Sequence, residues 1–133
     1  MSRLRESLVE LIRRTSAEIP DDVQSAILRG LEQEKEGTIA KSAMEIIERN
    51  IGLAKSKSQP ICQDTGIVNV FVKWGMNCRL DSERSLQEVV DEGVRRAYNH
   101  PDNKLRASIL ADPAFTRRNT RDNTPCVLSV EMV

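Results

Sequence analysis

Aromatic residues are nearly absent from this chain, which has one Trp, one Tyr and two Phe among 133 residues. The base-stacking platforms on which single-strand binders depend therefore have few candidates. Charge of one sign is also missing, since 20 Lys and Arg balance 20 Asp and Glu. No overall field draws the protein to nucleic acid or to an anionic membrane surface. The N-terminus, Met1-Ser2-Arg3-Leu4-Arg5-Glu6, carries charges at helical spacing and runs into no apolar segment long enough for a signal or a membrane span, so a cytoplasmic location is expected. Cysteine is sparse: Cys62, Cys78 and Cys126 are odd in number and lack CxxC spacing, which indicates neither a disulfide framework nor a zinc ribbon. The thiols are expected to be reduced. Internal repeats and low-complexity segments are missing too, and the length is that of a single domain, 1–133, with packing left to Leu, Ile, Val and Ala.

What is present is strong periodicity. Leu4, Leu8, Leu11 and Ile12 recur at helical spacing and predict an amphipathic helix of roughly four turns. Beyond Pro20, the acidic pair Asp21 and Asp22 favours a helix start, and Val23, Ile27, Leu28 and Leu31 form its stripe up to Glu36-Gly37. Thr38 is placed to cap a third helix, with Ile39, Ala43, Ile46, Ile47, Ile51 and Ala54 facing inward before the polar run Lys55-Ser56-Lys57-Ser58. The period then changes to two: Val68, Val70, Val72 and Trp74 share one face of a predicted strand, and Asn69, Phe71 and Lys73 the other. Ser82 is read as the cap of a fourth helix carrying Leu86, Val89, Val90, Val94 and Ala97, which His100-Pro101 stops. Residues 103–123 read as a long ordered loop, and Cys126 to Val133 as a strand whose apolar end leaves an edge to be covered. The expected fold class is α+β, with an N-terminal helical layer of about four helices packed on a small β-sheet.

Chemistry concentrates in Pro60-Ile61-Cys62-Gln63-Asp64-Thr65-Gly66. A thiol, an amide and a carboxylate are consecutive there, so a soft metal ligand, a hydrogen-bond donor and a proton-transfer group share a small volume. General acid–base chemistry at a metal-bound oxygen needs a Lewis acid on that oxygen, a proton donor to it, and a base elsewhere. Asp64 supplies the donor if its surroundings are dry, Gln63 can donate to a ligand oxygen, and Thr65-Gly66 lets the backbone approach closely. No base is evident. Plainer readings stand beside these: Asp64 as a turn residue bonded to its own backbone, Cys62 as a buried small hydrophobe, Arg106 as a surface charge, and His100 as a helix cap.

The heptapeptide resembles the cysteine loop of the iron-sulfur hydro-lyases of the class I fumarase and L-tartrate dehydratase family. Further likeness lies in Lys104-Leu105-Arg106-Ala107-Ser108, in Asp112-Pro113-Ala114-Phe115, and in Asn119-Thr120 followed by Asp122-Asn123-Thr124-Pro125, in the same order as in the family. The matches run from about Pro20 to Val133. Departures are Arg121, where the family usually has a small residue, and Cys126, which replaces another.

The resemblance implies that the chain is the N-terminal part of a hydro-lyase alpha subunit, truncated at its C-terminus and part of an oligomer. It implies Cys62 as one of three cysteine ligands of a 4Fe-4S cluster, the other two lying beyond the chain. It implies Asp64 as catalytic, and Gln63, Asp64 and Arg106 as contacts to a small hydroxy-dicarboxylate, with a beta subunit or C-terminal domain completing the site. By itself the chain is expected to lack the cluster and to be inactive. One alternative is a noncatalytic interaction module that kept the fold and lost the cluster. Another is a zinc site built from Cys62, Cys78, Cys126 and His100, which has the ligand types without local pairing.

Overall fold

The computed structural model describes residues 2–64 and 66–133, the side chain of Ser2 excepted. Helices α1 (Ser2–Ala17), α2 (Asp21–Gln33) and α3 (Ile39–Lys57) precede strand β1 (Asn69–Trp74), and helix α4 (Leu86–Asn99) leads to strand β2 (Val127–Met132). The two strands pair in parallel, from Asn69 opposite Val127 to Trp74 opposite Met132. Parallel neighbours need a crossover connection, and here α4 and the loop after it provide it. Helix and sheet are thus mixed in one chain, as an α+β reading expects.

The core lies where α1 and α4 meet. Leu8 and Ile12 of α1 pack with Val90, Val94, Ala97 and Tyr98 of α4 and with Cys126, and Val68, Val70 and Leu128 cover the cluster from the sheet side. Alternation along β1 matches the predicted period, since Val70, Val72 and Trp74 are half-buried while Asn69, Phe71 and Lys73 are exposed. The α1–α4 approach is close because Gly93 faces Leu8: a Cβ at residue 93 would lie 2.8 Å from Leu8 Cδ1.

Three expectations need correction. The fourth helix is capped by Ser85 and not Ser82, because Ser85-Leu86-Gln87-Glu88 forms a capping box: the Ser85 side chain accepts from Glu88 N–H, and the Glu88 carboxylate accepts from Ser85 N–H at 2.8 Å. The second helix ends at Gln33, three residues before Glu36-Gly37. The stripes of α2 and α3 do not form a layer against the sheet. No residue of α2 is buried and only Ile51 and Ala54 of α3 are, while Ile39 is 90% and Ile46 69% exposed. Periodicity fixes which residues share a face, but not whether that face finds a partner within the chain. The Thr38 cap of α3 is as expected, its hydroxyl accepting from Lys41 N–H.

Candidate functional site

The cysteine loop is tied down at both ends. Ile61 N–H donates to Ser16 C=O at the end of α1, and Asn50 Nδ2 of α3 donates to Ile61 C=O, at 2.9 Å each. At the other end, Gly66 takes a positive φ of 60° and its N–H donates to Asp64 Oδ1 at 3.1 Å. This is the turn-residue role of Asp64, present together with exposure of the same carboxylate. Between the anchors Cys62, Gln63 and Asp64 are all exposed. Thr65 lies outside the described residues, so the expected backbone approach there rests on Gly66 alone.

Two clefts meet at this loop. One, of about 630 Å³, lies between α1, the loop and the start of β1, and its lining includes Leu11, Ile12, Cys62, Asp64, Ile67 and Tyr98. The other, of about 280 Å³, is lined mostly by residues of polar type: Gln63, Asp64, Arg106, Ser108 and Asn119, with Ala107. Its size is just below the usual range for ligand sites, ~300–1,000 Å³, which leaves room only for a small molecule. The structure thus brings Gln63, Asp64 and Arg106 together across 42 positions of sequence, with Cys62 around the corner and Asp64 on the wall of both clefts. Ser108 and Asn119 were not singled out from sequence. Their segments are family-like, but a polar residue in a loop gives no sign of which cavity it borders.

The Arg106 side of the polar cleft belongs to the long loop, which is ordered through its own bonds. Leu110 and Asn119 form an antiparallel bridge, and Asp112 closes the tip by accepting from Phe115 N–H and Thr116 N–H. Those bonds hold the Asp112 carboxyl below the usual carboxylate range. Asp122 fixes the return: burial works to raise its pKa, but the Thr124 hydroxyl and the Arg95 guanidinium, 2.9 Å from Oδ2, outweigh it and the net shift is downward. Arg95 belongs to α4, so the loop is moored to the core helix.

The other two cysteines play different parts. Cys126 is in the core, and burial, reinforced by Asp91, pushes its thiol up to about 11. Buried in the core, it lines neither cleft. Cys78 follows β1 in a turn where its C=O accepts from Trp74 Nε1 and its N–H donates to Gly75 C=O. Among the described residues no group of three or more His, Cys, Asp and Glu is placed to hold a metal ion, which leaves the four-residue zinc reading without a site. A 4Fe-4S cluster is held by several thiolates. Exposed at a cleft, Cys62 fits as one corner of such a site and not as the whole of it. His100 occupies the C-cap position of α4, and its Nδ1 accepts from Asp102 N–H.

No helix among the described residues is long and apolar enough to cross a membrane. The sequence profile of the family described as Fumarate hydratase (Fumerase) matches residues 5–133, so the chain belongs to that family. It is 32% identical, over 92% of its length, to a putative fumarate hydratase class I of Geobacillus stearothermophilus, of which it covers 23%. To a putative L(+)-tartrate dehydratase subunit alpha of Methanocaldococcus jannaschii it is 30% identical over 91% of its length, and it covers 41% of that subunit. The L(+)-tartrate dehydratase subunit alpha of Escherichia coli K12 is 28% identical over 96% of the chain, again with 41% of the relative covered. The chain therefore spans less than half the length of these relatives. The alternative of a noncatalytic interaction module finds no support among them.

Proposed function

We propose that this chain is part of an iron-sulfur-dependent hydro-lyase of the fumarate hydratase or tartrate dehydratase type, adding or removing water on a small hydroxy-dicarboxylate. The observation that carries the reading is the shared polar cleft of Gln63, Asp64 and Arg106 beside the exposed thiol of Cys62. Family membership and the names of the relatives support the reaction type.

Each residue then has a defined task. The Arg106 guanidinium, a planar fork of donors, grips one carboxylate of the substrate in a bidentate pair. Gln63 donates its amide to the same end of the molecule. Asp64 gives its proton to the departing hydroxyl oxygen, so that water leaves as the carbon–oxygen bond breaks, and in the reverse direction it takes that proton back. Cys62 is one ligand of a 4Fe-4S cluster, which when bound supplies a Lewis acid to the substrate oxygen. The remaining cluster ligands and the base for the carbon-bound proton come from outside this chain, on a C-terminal domain or beta subunit of an oligomeric, cytoplasmic enzyme. Alone the 133 residues are inactive, and closing of that partner over the loop dries the surroundings of Asp64.

The test is turnover by the complete reading frame that encodes this chain, purified without oxygen and assayed with fumarate, malate and L(+)-tartrate. Arg106→Lys removes the fork and keeps the charge. It is expected to lower kcat/KM roughly 10- to 100-fold, the worth of one to two lost charge-assisted bonds. Turnover of none of the three acids by the native protein, or an Arg106→Lys variant as active as the native one, would contradict the proposal.

A further inference from the structure

Asn123 is the most deeply placed polar side chain of the candidate site, with no solvent exposure, yet it lines neither cleft. Its bonds reach both walls. Oδ1 accepts from Ser108 N–H at 2.8 Å and from Ile109 N–H at 3.1 Å, just past Arg106, and Nδ2 donates to Gly66 C=O at 3.0 Å, just past Asp64. Ser108 Oγ donates to the same Gly66 oxygen at 3.0 Å, so the two loops are joined by a direct bond and by a buried bridge. A buried amide whose polar atoms are all spent on backbone groups of two other segments sets their spacing, because a change in that spacing leaves a donor or acceptor unsatisfied.

The backbone beneath it is committed to the same end. Asn123 has φ 59° and Arg121 φ 67°, left-handed positions that asparagine tolerates better than most residues, and which Asp122 stabilises by its bonds to Thr124 and to Arg95 of α4. A path of bonds therefore runs from the core helix through Asp122 and Asn123 to both sides of the polar cleft.

We infer that Asn123 is a positioning residue that holds the Cys62–Asp64 loop against the Arg106 loop at the separation a small dicarboxylate requires. The identity of the ligand rests on the proposed function; the bridge itself does not.

Amide hydrogen exchange and succinate titration, both followed by NMR on this chain, separate the two. Asn123→Gly removes the side chain while accepting the positive φ, and Ser108→Ala removes only the direct bond. In Asn123→Gly, exchange at Ser108 and Ile109 is expected to quicken about tenfold with Val90 and Val94 of α4 unchanged, and the succinate dissociation constant, read at the Gln63 amide and Arg106 Nε, to rise about tenfold. Ser108→Ala, with the bridge intact, is expected to weaken binding only a few-fold. Native exchange and native affinity in Asn123→Gly would overturn the inference. So would equal acceleration at Val90 and Val94, which would make Asn123 a stability residue only. If Asn123→Gly does not fold, native affinity in Ser108→Ala overturns the coupling of loop spacing to binding. Failure of the native chain to bind succinate defeats the dicarboxylate reading, and the exchange rates still decide whether the bridge exists.

Discussion

Gly93→Val is expected to destabilise the chain by about 3 kcal/mol, seen as a lower urea midpoint in circular dichroism with little change in slope. Two effects compete at this residue. Adding a side chain to a helix glycine normally helps, by up to ~1 kcal/mol for alanine and less for a β-branched residue. Against that, the new Cβ would lie 2.8 Å from Leu8 Cδ1 and 2.9 Å from Leu8 Cβ. The Cδ1 contact could be relieved by a rotamer change, but Leu8 Cβ is fixed to the backbone of α1, so the helix itself must back away from α4. That movement opens the Leu8, Ile12, Val90 and Val94 contacts, and overpacking of this kind costs ~1–3 kcal/mol before the two extra methyl groups of valine are placed. For a domain stable by ~5–15 kcal/mol the loss is a large share. Gly93→Ala separates the effects: stabilisation by ~1 kcal/mol would show that the helices are not in contact at Leu8.

Asp64→Asn is expected to lower kcat of the complete enzyme by about 10²–10⁴ while leaving its fold and its affinity for substrate nearly intact, the range general acid–base groups contribute. The substitution is close to isosteric, and an amide oxygen can still accept from Gly66 N–H, so the turn at 3.1 Å persists. What it removes is the transferable proton. If the carboxylate served the turn alone, Asp64→Asn would turn over at the native rate. Steady-state kinetics with fumarate, set beside the thermal melt of each variant, distinguishes the two.

Legibility in the sequence followed the range of the interactions. Helical and strand periods are local, so the starts of α2 and α3 and the faces of β1 follow from residues within one or two turns of each other. The cap of α4 is local as well and is legible in Ser85-Leu86-Gln87-Glu88, although Ser82, nearer the turn, is a competing cap by residue type. The exposed stripes of α2 and α3 were not legible, because a helix face is apolar before anything is known of what covers it.

Within the candidate site, Cys62, Gln63 and Asp64 stood out because their chemistry is consecutive, and Arg106 because of the family likeness around it. Asn123 lies in the family-like stretch Asp122-Asn123-Thr124-Pro125, which by itself gives it no task. Its role depends on bonds to Gly66 and Ser108, 57 and 15 positions away, and no local pattern encodes them.

The proposed function rests most heavily on iron binding by Cys62. Anaerobic reconstitution of the complete reading frame with iron and sulfide, followed by visible absorption and iron analysis, measures it directly. The native protein should gain the brown charge-transfer absorption of a 4Fe-4S cluster and hydrate fumarate or dehydrate tartrate, and Cys62→Ala should lose both absorption and activity while Cys78→Ala and Cys126→Ala keep the iron. A native protein that stays colourless, or a Cys62→Ala variant that holds as much iron as the native one, would contradict the account.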